Sequence, residues 1–137
     1  MLISEDEQPG LAKIDKIPLL KPAFKEEGTV TAANSSSISD GAAALVLCSR
    51  EKAFKASLKV RARVVGHAAF AAAPSWFTTA PVYASQKLLE LIGWNKNQVD
   101  LWEFNEAFDV VALAFMKELG ISSETLSYKH IKLPTKA

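Results

Sequence analysis

The residues best suited to chemistry lie between positions 101 and 108, where the order is Leu-Trp-Glu-Phe-Asn-Glu-Ala-Phe. An apolar run typical of a strand ends there on Asn105, and an amphipathic helical pattern begins at Glu106. In an α/β fold, such a strand-to-helix junction presents free backbone N–H groups and the positive end of a helix dipole. The pattern therefore predicts a ligand-binding site at this junction.

The same two residues also have a purely structural interpretation. Asn is a preferred N-cap residue, and a cap at Asn105 would contribute about 1 kcal/mol to helix stability. An acidic residue such as Glu106 is favourable in the first turn because it interacts with the helix dipole. The two interpretations of Asn105 are compatible. Glu106 is expected to contact the residues that bind the ligand, without touching the ligand itself or acting as a general base.

The elements that must position this junction follow from hydrophobic periodicity and from helix start and stop signals. Continuous or alternating apolar runs predict strands over residues 42–48, 60–68 and 99–104, the first of them buried on both faces. For residues 42–48, periodicity alone leaves a helix open as the alternative. Helices are predicted from the Ser49 cap to about residue 57, from Pro81 to Gly93, and over residues 106–119 with Gly120 as the stop. Because strands and helices alternate, the sequence predicts an α/β fold with a mostly parallel or mixed sheet.

Composition limits the fold and the partners. The 137 residues, 49% hydrophobic and 23% charged, predict one soluble domain that buries roughly two-thirds of its unfolded surface. Sixteen basic and 15 acidic residues give a formal net charge of +1, which predicts no nucleic-acid partner and no basic membrane patch. No uninterrupted apolar stretch of 18 residues occurs, so no membrane span is expected.

Cysteine and histidine usage is sparse. Cys48 is the only cysteine, so no intramolecular disulfide is possible, and a reducing compartment is expected: the cytoplasm, or the mitochondrial matrix in a eukaryote. Its apolar surroundings predict a structural rather than a reactive thiol. His67 and His130 are isolated histidines, and no metal-site spacing is present.

Three motifs in order give the chain a resemblance to the thiolases. They are Gly-Thr-Val-Thr-Ala-Ala-Asn-Ser-Ser (residues 28–36), Ser-Asp-Gly-Ala-Ala-Ala (39–44) and Asn-Glu-Ala-Phe (105–108). The resemblance runs from about residue 3 to residue 126, and residues 80–84 with Phe77 upstream look most like the acetoacetyl-CoA thiolases. It implies an extended arm (1–28), the end of the family's first half (29–58), the start of its second half (59–126) and a divergent tail (127–137).

The resemblance also implies an acyl transfer between CoA thioesters, catalysed by dimers or tetramers of two similar α/β halves. The family uses a nucleophilic cysteine, a histidine in a Gly-His-Pro context and a second cysteine that moves a proton. None of these three residues has a matching position in this sequence.

Several family roles do match positions here. Asn105 corresponds to the asparagine that holds a water in the oxyanion hole, and Ser36 to the serine that contacts the pantetheine arm of CoA. Phe77 occupies the position that contacts the acyl substituent. The backbone carbonyls of Ala32, Ala33 and Ser35 match potassium ligands of some members, so a potassium ion is the one cofactor implied besides the CoA thioester substrate.

Two functions are therefore predicted, and residual CoA binding through residues 28–41 stays open as a third possibility. The first is a thiolase-like acetyl-CoA C-acetyltransferase polypeptide that does not turn over alone. The alternative is a non-catalytic module that associates with itself or with other thiolase segments through apolar faces and a sheet edge.

Overall fold

The computed structural model describes residue 5 and residues 7–126. Within that part of the chain, the α-helices are α1 (Glu7–Leu11), α2 (Arg50–Lys55), α3 (Ala80–Ile92) and α4 (Asp109–Leu119). Short 3-10 turns lie at Ile14–Leu19, Ala32–Asn34, Pro74–Thr79, Lys96–Gln98 and Ser123–Thr125. The tail from residue 127 onward and His130 lie outside the described residues.

The predicted start and stop signals position α2 and α3. The Ser49 side chain accepts a hydrogen bond from the Lys52 N–H at 3.2 Å, as expected of an N-cap. Pro81 lies in the first turn of α3, where its missing N–H costs nothing. Gly93 ends that helix in the left-handed conformation with φ 68°, which glycine adopts without a steric penalty. These predictions are confirmed.

Helix α4 begins later than predicted and is stabilised at its end. Its first residue is Asp109 rather than Glu106, and it ends before Gly120, which has φ 60°. The Lys96 Nζ donates to the carbonyl oxygens of Leu119 at 2.6 Å and Gly120 at 2.9 Å. A cation on the last carbonyls of a helix satisfies unpaired acceptors and interacts favourably with the dipole.

A small core forms around the inner face of α4. Its buried members come from α3, from α4 and from the last described residue: Val82, Ala112, Phe115, Leu119 and Leu126. The partly buried side chains packed against them are Trp102, Phe104, Met116 and Ile121. The 3-10 turn Pro74–Thr79 contacts both α3 and α4, so this end of the molecule is the packed part of the fold.

The predicted strands do not form a sheet within residues 7–126, so this detail of the sequence prediction is not confirmed for the described part. Two single β-bridges replace them: Ser35 pairs with Phe108 antiparallel, and Trp102 pairs with Leu126 parallel. A strand exists only where a neighbour accepts and donates its backbone hydrogen bonds. In the described part, residues 42–48 make no backbone hydrogen bond, and residues 60–68 make none either.

The chain is also more open than its composition predicts. Its accessible surface is 12,608 Å², whereas a compact monomer of 14.9 kDa exposes about 7,000 Å². The run expected to be buried on both faces is exposed, with Leu45 at 88%, Val46 at 96% and Leu47 at 77%. The arm is not fully extended, since it contains α1 and the Ile14–Leu19 turn, although neither has a buried residue.

Candidate functional site

Asn105 lies on an irregular segment that precedes α4, and it is not the cap of that helix. The N-cap position belongs to Phe108, whose backbone is extended with φ −145° and ψ 148° and whose side chain makes no cap bond. Asn105 is exposed, and its amide has no hydrogen-bond partner among the described residues. The cap interpretation is therefore wrong, and the Asn105 amide is available to a ligand or a water.

The loop that carries Ser36 pairs with the segment after Asn105 and keeps that segment extended, so it is not part of α4. The Ser36 N–H donates to the Ala107 carbonyl oxygen at 3.0 Å, and Ser35 forms the antiparallel bridge with Phe108. This pairing requires an extended backbone at residues 107–108, which explains why the helix starts at Asp109. The structure thus joins two of the three motifs that lie about seventy positions apart in sequence, at Ser36 and Ala107.

The loop at Ser36 is itself built on a tight turn. The Thr31 side chain accepts from the Ala33 N–H at 3.2 Å, and the Asn34 Oδ1 accepts from the Thr31 N–H at 2.7 Å. The Asn34 Nδ2 donates to the Thr29 carbonyl at 2.9 Å, and the Ser35 hydroxyl donates to the Thr31 carbonyl at 2.6 Å. Reciprocal bonds of this kind form a capping box, which fixes the course of the chain leading to Ser36.

Phe77 lies in the Pro74–Thr79 turn, which contacts both α3 and α4, and its side chain is 60% exposed. Next to this turn, the rings of Phe70 and Tyr83 pack with centroids 4.8 Å apart. An exposed aromatic side chain on a packed turn offers an apolar contact surface at a fixed place.

Glu106 is half-buried, but it makes no ion pair in the described part of the chain. The ion pair described there joins Lys55 and Glu51 on α2, at 2.6 Å, with both side chains largely in solvent. The acidic residue of the first turn of α4 is Asp109. Glu106 therefore does not fill the first-turn position that the sequence predicted for it.

The three residues with potassium-binding counterparts are adjacent along the turn. Ala32 and Ala33 are exposed, and Ser35, which forms the bridge to Phe108, is half-buried. Carbonyl oxygens are the ligands that hard cations prefer, so the donor type fits. Three oxygens are fewer than the six or more that such a cation takes, so these residues supply part of a coordination shell.

Other kinds of site are not found in the described residues. No group of three or more His, Cys, Asp or Glu side chains is arranged to hold a metal ion there. Cys48 is exposed rather than buried, contrary to its expected place in a strand, because residues 42–48 pack against nothing. Within the same residues, no helix is long and apolar enough to cross a membrane.

Comparison with known proteins settles the family. The model of the thiolase N-terminal domain matches residues 1–51, and that of the thiolase C-terminal domain matches residues 58–129. The chain belongs to the thiolase family. Acetyl-CoA acetyltransferase 1 of Arabidopsis thaliana is 52% identical over 125 residues, which make up 89% of this chain and 30% of that protein. The probable acetyl-CoA acetyltransferase of Dictyostelium discoideum is 48% identical over 91% of this chain and 30% of its own length.

Solved structures agree with this assignment. The Acat5 thiolase from Ascaris suum in complex with coenzyme A superposes with a TM-score of 0.87 at 43% identity, covering 90% of this thiolase chain and 33% of the other. The Bacillus anthracis acetyl-CoA acetyltransferase gives a TM-score of 0.78 at 42% identity, covering 82% and 28%. The fold is therefore a thiolase fold, and the chain spans a third or less of the length of these relatives.

Two residues of the site were not singled out from the sequence. Asn34 closes the turn before Ser36, and Ala107 accepts the hydrogen bond that joins the two motifs. A signal for Asn34 was present, because a Thr followed three residues later by a side chain with a donor and an acceptor is the pattern of a capping box. No local signal exists for Ala107, since only its backbone oxygen takes part.

Proposed function

We propose that this chain supplies part of the lining of an acetyl-CoA C-acetyltransferase site. We propose also that these 137 residues do not catalyse acyl transfer alone. The observation that carries the proposal is the unpartnered, exposed amide of Asn105 on a segment hydrogen-bonded to the Ser36 loop. The names of the relatives, acetyl-CoA acetyltransferases, give the reaction class. Because the chain spans a third or less of their length, the activity of the whole relatives is only proposed for it.

In this proposal, each residue acts on a different part of an acyl-CoA. The Asn105 amide holds a water that donates to the oxygen on which negative charge develops when an acetyl group becomes an enolate. Ser36 contacts the pantetheine arm, and Phe77 contacts the acyl substituent. Glu106 supports the Asn105 segment without touching substrate.

A potassium ion, when bound, would supply positive charge beside the loop that carries Ser36. Ala32, Ala33 and Ser35 would contribute their carbonyl oxygens to it, and the remaining ligands would come from elsewhere.

The missing step is nucleophilic attack on the thioester. A thiolase needs a thiolate activated by a nearby histidine, and the one cysteine here, Cys48, is exposed on a segment without hydrogen-bond partners. No residue in the described part therefore meets the geometric requirement for the attacking group.

An assay of acetoacetyl-CoA cleavage tests this proposal. The purified 137-residue chain is expected to show the rate of buffer with CoA alone, while a full-length relative under the same conditions gives clear turnover. Cys48→Ser is the matched control and is expected to change nothing. Turnover above background that disappears in Cys48→Ser would overturn the proposal.

The second candidate function is self-association, which a different observation favours. Residues 42–48 combine exposed Leu45, Val46 and Leu47 with a backbone that makes no hydrogen bonds in the described structure. A short uncharged apolar segment without Pro, with both backbone edges unpaired, pairs readily with another copy of itself.

Sedimentation velocity distinguishes this function. The chain is expected to sediment as a dimer or larger species at tens of micromolar, and Val46→Lys to return it to the monomer, because a charge opposes apolar strand pairing. Leu91→Lys, at an exposed position on α3, is the control and leaves the association unchanged. A monomeric chain that binds no apolar dye would exclude self-association.

A further inference from the structure

We propose that Asn34 is a positioning residue of the site, which sets where Ser36 lies relative to Asn105. Neither the family comparison nor the motif match assigns a role to this side chain. The inference deepens the proposed function and rests on it for the meaning of the site, but its geometry is independent of catalysis.

The Asn34 side chain connects the two ends of the turn that precedes the site. Its Oδ1 accepts from the Thr31 N–H at 2.7 Å, and its Nδ2 donates to the Thr29 carbonyl at 2.9 Å. A side chain that both accepts and donates is therefore required, and among uncharged residues of this length only Asn provides both. Asn34 is half-buried, and its bond from the Thr31 N–H is partly shielded from competing water, whereas its bond to the Thr29 carbonyl is exposed.

The junction between the two motifs comes directly after Asn34 along the chain. Ser35 is bridged to Phe108, and the Ser36 N–H donates to the Ala107 oxygen at 3.0 Å. Ala107 lies two positions beyond Asn105. Since the turn fixes the direction in which residues 35 and 36 leave it, a change at Asn34 moves Ser36 and loosens its bond to the Asn105 segment.

The other side-chain hydrogen bonds of the turn cannot fix the position of Ser36 without Asn34. The Ser35 hydroxyl and the Thr31 hydroxyl both act within residues 31–35, at 2.6 Å and 3.2 Å. Only Asn34 reaches back to residue 29, so among these side chains it alone ties the turn to the preceding chain. The contribution of Asn34 is expected to be specific to the junction rather than to the fold, because the buried core lies around α4 and contains no residue of this turn.

Amide hydrogen exchange by NMR measures the effect. In Asn34→Ala, the Ser36 amide is expected to exchange roughly 5- to 30-fold faster than in the unchanged chain. This factor corresponds to the local stability that one or two hydrogen bonds contribute. The amides of Phe115 and Leu119 in α4 serve as internal references and keep their protection. Ser37→Ala is the control variant, because Ser37 is exposed and its hydroxyl pairs only with that of Ser39.

Asn34→Asp gives a pH-dependent test that a general loss of stability would not produce. The introduced carboxylate accepts from Thr31 but cannot donate to the Thr29 carbonyl, so at neutral pH the Ser36 and Ala107 amide shifts move as in Asn34→Ala. Once protonated, below the usual Asp pKa of about 4, the carboxyl O–H donates to the Thr29 carbonyl in place of the amide N–H. Lowering the pH is therefore expected to return both shifts to those of the unchanged chain at the same pH.

Three results would overturn the proposal: unchanged exchange of Ser36 in Asn34→Ala, loss of α4 protection equal to that of Ser36, or no return of the shifts at low pH in Asn34→Asp. If Asn34→Ala does not fold, the Asn34→Asp titration decides alone, because its low-pH form has both bonds. No measurement uses a CoA thioester, so failure here is separate from failure of the proposed function.

Discussion

Phe115→Ala is expected to leave the chain largely unfolded at 25 °C. The Phe115 side chain is 2% exposed and lies at the centre of the core. Its ring is stacked on Phe104 with centroids 4.5 Å apart and meets Trp102 edge-on at 5.5 Å. Removing such a ring costs about 3–5 kcal/mol. The described part of the chain buries seven apolar residues. Its total free energy of unfolding is therefore expected to be little larger than the loss caused by Phe115→Ala.

Urea unfolding followed by tryptophan fluorescence and far-UV circular dichroism checks this result. Leu113→Ala is the matched control, since Leu113 is on the same helix but 60% exposed, and its expected effect is within about 0.5 kcal/mol. Phe104 directly precedes Asn105, so loss of the stacked ring also frees the segment that carries the site. A cooperative transition in Phe115→Ala at the original midpoint would show that the core is not organised around this ring.

Gly66→Ala is expected to lower the free energy of unfolding by about 1–3 kcal/mol, the usual cost of overpacking. A Cβ at this position would lie 2.6 Å from the Ile92 Cγ2 and 3.1 Å from the Leu88 Cδ1. The Ile92 Cγ2 is attached to a branched Cβ and has one strongly preferred rotamer in a helix, so it cannot turn away cheaply. The collision therefore pushes residues 60–68 away from α3.

A double-mutant cycle tests this explanation. Ile92→Ala removes the opposing methyl group, so the methyl of Gly66→Ala then occupies part of the space that Ile92→Ala creates. We expect the double variant to be more stable than the sum of the single effects by about 1 kcal/mol, within the range for residues in contact. Gly41→Ala is the control, because nothing lies within 4 Å of its Cβ position. Gly41→Ala is expected to gain stability slightly, because alanine lowers the entropy of the unfolded chain, and an equal gain in Gly66→Ala would rule out a collision.

The helices could be predicted from the sequence because their limits depend on residues next to them. Ser49, Pro81, Gly93 and Gly120 each satisfy or remove a backbone group at a helix end, and each does so in the structure as its type predicts. The buried face of α4 also follows from spacing alone: Val111, Ala112, Phe115 and Leu119 are the buried residues of that helix.

The strands could not be predicted in the same way, because a strand depends on a partner that local pattern does not supply. Residues 42–48 and 60–68 have the composition of strands, yet neither has a backbone partner within residues 7–126. The same dependence explains the late start of α4. The helical pattern begins at Glu106, but pairing of Ser35 with Phe108 overrides it.

For the candidate site, the motifs pointed to two segments that the structure joins, and the structure excludes Asn105 as the cap of α4. Sequence pattern favoured a helix cap, whereas the structure leaves the Asn105 amide exposed and unpaired in its described surroundings. The roles carried over for Ser36, Phe77, Glu106 and the carbonyls of Ala32, Ala33 and Ser35 remain predictions. They share one physical requirement, which is that the two distant motifs stay joined.

The bond between the Ser36 N–H and the Ala107 oxygen closes a loop of 71 residues, the difference between the two positions. Closing so long a loop costs roughly 4 kcal/mol in chain entropy, more than one hydrogen bond returns. The junction therefore depends on further contacts between the same two segments, and the Phe24 and Phe108 rings, whose centroids lie 5.6 Å apart, provide one of them. A substitution that removes this ring contact is expected to open the candidate site as well, although neither ring belongs to the three residues proposed to touch substrate.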